Sequence, residues 1–153
     1  MAKIRILIID DHPLLRETLA SMLNAWSRSE AIGAAGDAES GLAQIATLQP
    51  DLVLLDFCLP RTSGLNVIRR IRQCSPRTRI LLLSILEDPE VITRALQEGA
   101  AGYCFKSLGG PEVRNAISAV MLGLPYVSTQ PADATGMRSG ECDFSEDEPR
   151  SPG

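Results

Sequence analysis

Apolar and polar positions alternate along the chain in blocks that predict strands and helices in turn. Short continuous apolar runs, typical of strands buried on both faces of a sheet, occur at residues 4–9, 52–56 and 79–84. A weaker run of small residues lies at 31–36, and a fifth strand is predicted over 101–106. Each run is followed by a segment that reads as a helix. Five successive strand–helix units predict an α/β fold with helices on both sides of one parallel sheet.

Capping residues mark where the predicted helices begin and end. The five helices are expected from Pro13, over 38–48, over 64–74, from Pro89 and from Pro111. Proline is favoured at the first helical position, because its missing N–H would have no partner there. Asp88 is suited to cap the fourth helix, and Gly99 is suited to end it. Val113, Ile117, Val120 and Leu124 are predicted to share one stripe of the last helix; core is its simplest interpretation, and an interaction face is left open.

Composition separates a globular part from an acidic end. The 153 residues are 44% hydrophobic and 22% charged, an ordinary balance for one compact domain. Residues 129–153 hold six acidic residues and two arginines, which accounts for the whole net charge of −4. Residues 1–128 therefore carry 13 acidic and 13 basic side chains. This balance does not indicate the basic surface that nucleic-acid binding requires. We expect one domain over 1–128 and an acidic flexible linker or tail over 129–153.

Cysteine spacing and hydropathy bear on the compartment. The four cysteines, Cys58, Cys74, Cys104 and Cys142, show no paired spacing, and the only histidine is His12. A zinc site or a disulfide framework would need a tighter arrangement, so we expect reduced thiols in a cytoplasmic protein. No apolar run approaches the ~20 residues needed to span a bilayer, so no membrane association is expected.

Five polar side chains stand where the predicted strands end. Asp10 and Asp11 follow the first strand, Asp56 ends the third, Ser84 ends the fourth and Lys106 ends the fifth. Alone, each has a simpler reading as a turn residue, a helix cap or a solvated charge. In an open parallel sheet, however, functional groups gather beyond the carboxyl ends of the strands. The five are therefore expected to converge on one site.

Three neighbouring carboxylates repel one another unless protons or a cation intervene. Mg²⁺ suits such a group because it takes one or two carboxylates and keeps several waters. Once a metal screens the charge, a carboxylate can act as a nucleophile toward a phosphoryl group. Lys106 and Ser84 suit the same event, one by neutralising a phosphoryl oxygen and the other by donating a hydrogen bond.

Four motifs together carry a family resemblance. In order and spacing, LIIDDHP, LVLLDFCLPRTSGL, ILLLS and GYCFKS resemble the receiver domain of bacterial two-component response regulators, over roughly residues 3–122. The segments RALQEGAAGY and GLPYVS resemble the NarL/LuxR-type subfamily in particular. The resemblance implies a doubly wound, flavodoxin-like (βα)5 fold with a five-stranded parallel sheet in the order 2-1-3-4-5.

The resemblance also implies a role for each acidic position. Asp56 matches the phosphoacceptor. Asp10 and Asp11 match the acidic pair that binds Mg²⁺ directly or through water, together with Asp56. The backbone carbonyl of Cys58 matches a further ligand of that ion. Such a domain is a phosphoacceptor that assists its own phosphoryl transfer and dephosphorylation, rather than an enzyme acting on other substrates.

The same resemblance assigns the switch. Ser84 matches the switch serine or threonine, Lys106 matches the lysine of the site, and Tyr103 matches the aromatic that changes rotamer on phosphorylation. Two positions depart from the family. Ile85 follows the switch serine, where many receivers keep a small residue, and Ser107 follows the lysine, where many have proline. Neither departure removes a site residue.

Partners follow from the family as expectations. The donor would be a sensor histidine kinase, and phosphorylation would favour a homodimer. Regulators of this subfamily bind DNA through a C-terminal helix-turn-helix domain, which residues 129–153 do not resemble in spacing or charge. We expect a receiver and linker from a longer transcription regulator; a stand-alone receiver with an acidic tail is the other reading.

Other functions fit the sequence less well. A pseudo-receiver that serves only as a protein-interaction module is the main alternative, with Ile85 as its only support. An aspartyl-phosphate hydrolase would need a second Asp two residues after its nucleophile, where this chain has Cys58. A dinucleotide-binding fold is excluded because no G-x-G-x-x-G follows the first strand. His12 is interpreted as a structural residue at the start of the first helix.

Overall fold

Strands and helices alternate through the residues that the computed structural model describes, which are 2–85, 88–106 and 110–128. Six strands and five helices occur within these ranges. In chain order they are β1 (Ile4–Ile9), α1 (Pro13–Ala25), β2 (Ser29–Ala35), α2 (Ala38–Leu48), β3 (Leu52–Asp56), α3 (Gly64–Cys74), β4 (Arg79–Ser84), α4 (Pro89–Glu98), β5 (Gly102–Phe105), α5 (Gly110–Met121) and β6 (Tyr126–Val127).

The strands form one parallel sheet in the order β2-β1-β3-β4-β5-β6. The expected order 2-1-3-4-5 is confirmed for the first five strands. The expectation of five strands is corrected, because β6 adds a sixth beside β5. A strand of two residues shows no periodic pattern, so hydrophobic spacing does not predict it.

The core consists of two apolar layers, one on each face of the sheet. Leu7 and Leu55 face the layer that α2, α3 and α4 cover. Ile8 and Leu54 face the opposite layer, which α1 and α5 cover. Because successive side chains of a strand point to opposite faces, both sets are buried and the strands read as continuous apolar runs.

Side-chain caps fix the start of three helices. Asp37, Ser63 and Asp88 each accept a hydrogen bond from a backbone N–H in the first turn of α2, α3 and α4. Helix α4 ends at Gly99, whose φ of 121° lies in the region that glycine adopts without steric cost. The bounds predicted for α2, α3 and α4 are confirmed.

The last helix is shorter than its predicted stripe. Val113, Ile117 and Val120 are buried in the core, as expected. Leu124 lies beyond Met121, the last residue of α5, and is 55% exposed. The stripe therefore ends with the helix, and Leu124 is no part of the core.

Ser128 adds two hydrogen bonds to the pairing of β6 with β5. The backbone N–H of Ser128 donates to the carbonyl of Tyr103 at 2.9 Å, and its hydroxyl accepts from the N–H of Phe105 at 2.8 Å. A side chain at Gly102 would come within 3.0 Å of the carbonyl oxygen of Tyr126. The absence of a Cβ at that glycine therefore lets β6 approach closely.

No helix among the described residues is long and apolar enough to cross a lipid bilayer. The expected tail, residues 129–153, and Ser107 lie outside the described residues.

Candidate metal centre at the carboxyl end of the sheet

The parallel register brings the predicted polar residues together. Asp56 and Ser84 are the last residues of β3 and β4, which pair in register with their neighbours. Asp10 and Lys106 directly follow β1 and β5. These four residues and Asp11 therefore surround what we call the carboxyl end of the sheet, as the sequence predicts.

Asp10 is the most deeply buried of the three acids, with no exposed surface. Its Oδ1 accepts the backbone N–H of His12 at 2.8 Å, and Lys106 Nζ lies 3.2 Å from its Oδ2. Arg16 Nη1 donates to the Asp10 carbonyl at 2.7 Å. Both the backbone and the side chain of Asp10 are therefore held in place by these contacts.

Asp56 is 2% exposed and lies against the same ammonium group. Lys106 Nζ is 3.4 Å from its Oδ2, and the backbone N–H of Cys58 donates to its Oδ1 at 3.0 Å. Burial raises the pKa of Asp56 from 3.8 to about 6, because desolvation disfavours the charged form. The charge of Lys106 opposes that rise, while the charge of Asp10 adds to it.

Four side chains offer ligand atoms to one ion. One atom each from Asp10, Asp11, His12 and Asp56 lies within 4.8 Å of the others. Asp10 Oδ2 and Asp11 Oδ1 are buried but accept no hydrogen bond. The ammonium group of Lys106 forms an ion pair with Asp10 Oδ2 but does not donate a hydrogen bond to it. Buried oxygens without donors are the groups that a hard divalent cation satisfies. The residues present therefore fit Mg²⁺.

His12 takes a place that the sequence interpretation did not foresee. It stands at the start of α1, as expected, but its side chain makes no capping hydrogen bond. Its imidazole instead contacts the two neighbouring carboxylates, Asp10 and Asp11. These contacts add to the interpretation of His12 as a structural residue at the start of α1 and do not overturn it. Arg16, which holds the Asp10 carbonyl, was also missed, because a lone basic residue on a helix gives no such signal.

The two switch candidates are both buried. Ser84 is 1% exposed, with its Oγ 4.0 Å from Cys58 Sγ. Tyr103 is also 1% exposed and belongs to the apolar layer beneath α2, α3 and α4. Ile85, the residue that follows Ser84 where many receivers keep a small one, is 39% exposed. Its side chain is therefore directed at least partly to solvent.

The cysteines differ from the expectation of reduced thiols in one respect. Cys58 is disulfide-bonded, whereas Cys74 and Cys104 are free. Burial raises the pKa of the Cys104 thiol to about 11, so that thiol is unreactive at neutral pH. The metal ligand expected from Cys58 is its backbone carbonyl, which bonding at sulfur does not consume.

Comparison with known proteins agrees with this arrangement. The family model for the response regulator receiver domain matches residues 6–118. The transcriptional regulatory protein MctR of Rhizobium johnstonii is 36% identical over 132 residues, which make up 86% of this chain and 62% of that protein. The response regulator GacA of Pseudomonas viridiflava is 35% identical over 136 residues, 89% of this chain and 64% of that protein. The chain thus spans less than two thirds of these relatives.

Solved structures give the same result. The signal receiver domain of NarL from Mycobacterium tuberculosis matches with a TM-score of 0.73 and 33% identity, over 79% of this chain and 98% of that one. A LuxR-family two-component response regulator from Aurantimonas sp. SI85-9A1 matches with a TM-score of 0.78 and 27% identity, over 97% of this chain and 100% of that one.

Proposed function

The chain belongs to the response regulator receiver domain family, and on this premise we propose that Asp56 accepts a phosphoryl group from the phosphohistidine of a sensor histidine kinase. The observation that carries the proposal is the buried Asp56 carboxyl, with Lys106 Nζ 3.4 Å from its Oδ2. With a pKa of about 6, this group is largely ionised at neutral pH and available as a nucleophile.

The reaction would be a displacement at phosphorus. A carboxylate oxygen of Asp56 attacks, the phosphorus–nitrogen bond of the donor breaks, and an acyl phosphate forms while the imidazole leaves with a proton from water. Lys106, already positioned between Asp10 and Asp56, neutralises one phosphoryl oxygen. The hydroxyl of Ser84 donates to another.

Asp10, Asp11, Asp56 and the backbone carbonyl of Cys58 would hold Mg²⁺. When bound, the ion supplies positive charge against the carboxylates and the incoming phosphoryl oxygens. The two buried oxygens without donors, on Asp10 and Asp11, support this assignment. The same groups would assist hydrolysis of the acyl phosphate, so the domain promotes its own dephosphorylation and acts on no other substrate.

The switch would involve Ser84 and Tyr103. Phosphorylation draws the Ser84 hydroxyl toward the phosphoryl group and favours Tyr103 inside the core. Tyr103 is buried in this structure, as its inward position requires. Phosphorylation would shift the population toward that position. The surface of α4, β5 and α5 changes with it, which would favour a homodimer.

The output would lie beyond the receiver. Two relatives of this chain are named as a transcriptional regulatory protein and a response regulator, and both are longer than it. We place the receiver at residues 1–128 and a linker at 129–153, leading to a DNA-binding domain of the parent protein. The site of action would be the cytoplasm, where the kinase domain presents its phosphohistidine.

Phosphoryl uptake can be tested directly. The chain is incubated with Mg²⁺ and acetyl phosphate, and intact mass is measured. We expect an acid-stable, base-labile adduct of about 80 Da, absent from Asp56→Asn. Asp37→Asn is the matched control, since it makes the same chemical change at a helix cap where asparagine serves equally well.

Two outcomes would count against the proposal. Uptake by Asp56→Asn at the wild-type rate would place the phosphoryl group elsewhere. No uptake by the wild type with any donor would favour the alternative, a phosphorylation-independent interaction module. Size-exclusion chromatography with and without beryllofluoride then tests dimerisation, and an unchanged elution volume would contradict that part.

A further inference from the structure

His12 is the one nitrogen donor in a group of oxygen donors. The chain has no other histidine. Its Nδ1 lies 3.0 Å from Asp10 Oδ1 and 3.2 Å from Asp11 Oδ1. The side chain is 65% exposed, so the rest of the imidazole remains open to solvent.

The fold does not require this orientation of the ring. His12 occupies the position before α1 with extended dihedral angles (φ −96°, ψ 108°), yet its side chain caps nothing. The first turn of α1 instead begins with Pro13, which has no N–H to satisfy. Since the helix makes no use of the imidazole, the ring is held by the two acids alone, with a hydrogen bond between Nδ1 and Asp10 Oδ1 and a contact with Asp11 Oδ1.

The spacing of the donor atoms matches the ligands of a single ion. With metal–ligand bonds near ~2.1 Å, adjacent ligands of an octahedral ion lie about 3 Å apart and opposite ones about 4 Å. The separations of Nδ1 from Asp10 Oδ1 and from Asp11 Oδ1 are of the first kind. Asp10 Oδ2, on a side chain 1% exposed, accepts no hydrogen bond.

Resting on the proposed function, we propose that His12 is a nitrogen ligand of the divalent metal and makes the site prefer first-row transition ions, with Mn²⁺ as the probe, over Mg²⁺. Mg²⁺ is bound almost entirely by oxygen, whereas imidazole suits transition ions. A site with three carboxylates and one imidazole therefore gains more affinity for Mn²⁺ than for Mg²⁺ from its nitrogen donor. The three carboxylates bind both ions, whereas His12 makes the affinity for Mn²⁺ higher than that for Mg²⁺.

The test compares the affinity for the two ions by calorimetry, using MnCl₂ and MgCl₂ with the full chain. Removing one metal ligand or its support typically weakens binding on the order of 10- to 100-fold. We expect His12→Ala to lose about that much affinity for Mn²⁺ and to keep its Mg²⁺ affinity within about threefold. Asp37→Asn, remote from the site, is the control and should change neither.

A second variant separates ligation from positioning. His12→Asn keeps a polar group able to hydrogen-bond to Asp10 and Asp11 but offers no imidazole nitrogen. It should lose the preference for Mn²⁺ as fully as His12→Ala. Retained preference in His12→Asn, or an equal loss of both ions in His12→Ala, would overturn the inference.

Failure of this inference can be told apart from failure of the proposed function. If both His12 variants bind the two ions like the wild type while acetyl phosphate with Mg²⁺ still labels Asp56, only the role of His12 is refuted. If the wild type binds neither ion, the metal role of His12 falls, and the phosphoryl-uptake assay decides the proposed function separately. Circular dichroism confirms that the variants are folded.

Discussion

At the amino end of the sheet, Ser75 and Thr78 are as deeply buried as Asp10 and Asp56 are at the carboxyl end. The two pairs differ in their partners. The Thr78 hydroxyl donates to the Pro50 carbonyl at 2.7 Å and lies 2.6 Å from the hydroxyl of Ser75. The two acids share one ammonium, and an oxygen of Asp10 accepts no hydrogen bond.

The rest of the amino end follows the same rule. The backbone N–H of Arg5 donates to Asp51 Oδ2 at 2.8 Å, and its guanidinium donates to the carbonyls of Leu48 and Gln49. Buried polar groups with complete hydrogen bonds stabilise a fold, whereas incomplete ones cost free energy. Polar burial therefore stabilises the amino end, whereas at the carboxyl end it leaves an oxygen of Asp10 free for the metal ion proposed above.

The largest expected effect is the loss of the shared cation. In Lys106→Met, the buried carboxylates of Asp10 and Asp56 lose the ammonium group that both contact, and we expect roughly 3 kcal/mol less free energy of unfolding. Urea unfolding at pH 7 with EDTA measures it. The double variant Lys106→Met/Asp56→Asn should recover much of the loss. An unchanged urea midpoint in Lys106→Met would mean that the charge of Lys106 does not stabilise the two buried carboxylates.

Asp56→Asn should act in the opposite direction and stabilise the protein. Because burial raises the pKa of Asp56 from 3.8 to about 6, ionising it in the folded state opposes folding. At pH 7 without metal, the variant should gain roughly 1–3 kcal/mol.

The stability gained in Asp56→Asn should increase with pH. Between about pH 4 and 6, folded Asp56 retains a proton that the unfolded chain releases, so wild-type stability falls as pH rises. The difference between Asp56→Asn and wild type should therefore be near zero at pH 4 and fully developed by pH 7. Thermal unfolding across this range measures it, and a constant difference would contradict the assigned cause.

Thr78→Val tests the amino end. The change keeps the shape but removes the hydroxyl that donates to the buried Pro50 carbonyl, while Ser75 keeps its hydrogen bond to Gln49, and we expect a loss of roughly 1–2 kcal/mol at every pH. Thr18→Val is the matched control, since the Thr18 hydroxyl also donates to a backbone carbonyl, that of Leu14, but on an exposed helix face. Equal losses of stability in Thr78→Val and Thr18→Val would mean that burial does not make the Thr78 hydrogen bond more stabilising than the exposed one.

The smallest effect on the free energy of unfolding is expected for an ion pair on the helix surface, between the two ends of the sheet. Arg69 of α3 donates two hydrogen bonds to the carboxylate of Glu98 in α4, and this pairing lowers the pKa of Glu98. Solvent screens such exposed pairs, so a double-mutant cycle should give about 0.5 kcal/mol, falling with added salt. A coupling above that of Lys106 with Asp56 would overturn the ranking.

The sequence predicts the frame of this molecule well because burial and capping are local signals. β1, β3 and β4 are apolar on both faces, so their runs have sharp ends and the predicted bounds are those observed. Asp10, Asp56 and Lys106 could be assigned to one end of the sheet for the same reason, since strand direction determines where each run ends.

Features that depend on side-chain direction or on a distant partner were not predictable in this way. The contact of His12 with Asp10 and Asp11 depends on a rotamer that no spacing encodes. Strand β6 depends on the hydroxyl of Ser128 meeting a backbone N–H 23 residues earlier in the chain. Its pairing partner is specified by the tertiary fold and not by its own two residues.

The position of β6 also determines at which residue the chain can be truncated without exposing β5. β5 is a wholly buried apolar strand, and without Ser128 its N–H at Phe105 and carbonyl at Tyr103 would face an open side of the sheet. An uncovered apolar strand is a template for pairing with another copy. β6 is too short, and too close to Pro125, to extend such a template further. A fragment ending at Met121 should therefore self-associate in light scattering, whereas one ending at Ser128 should not.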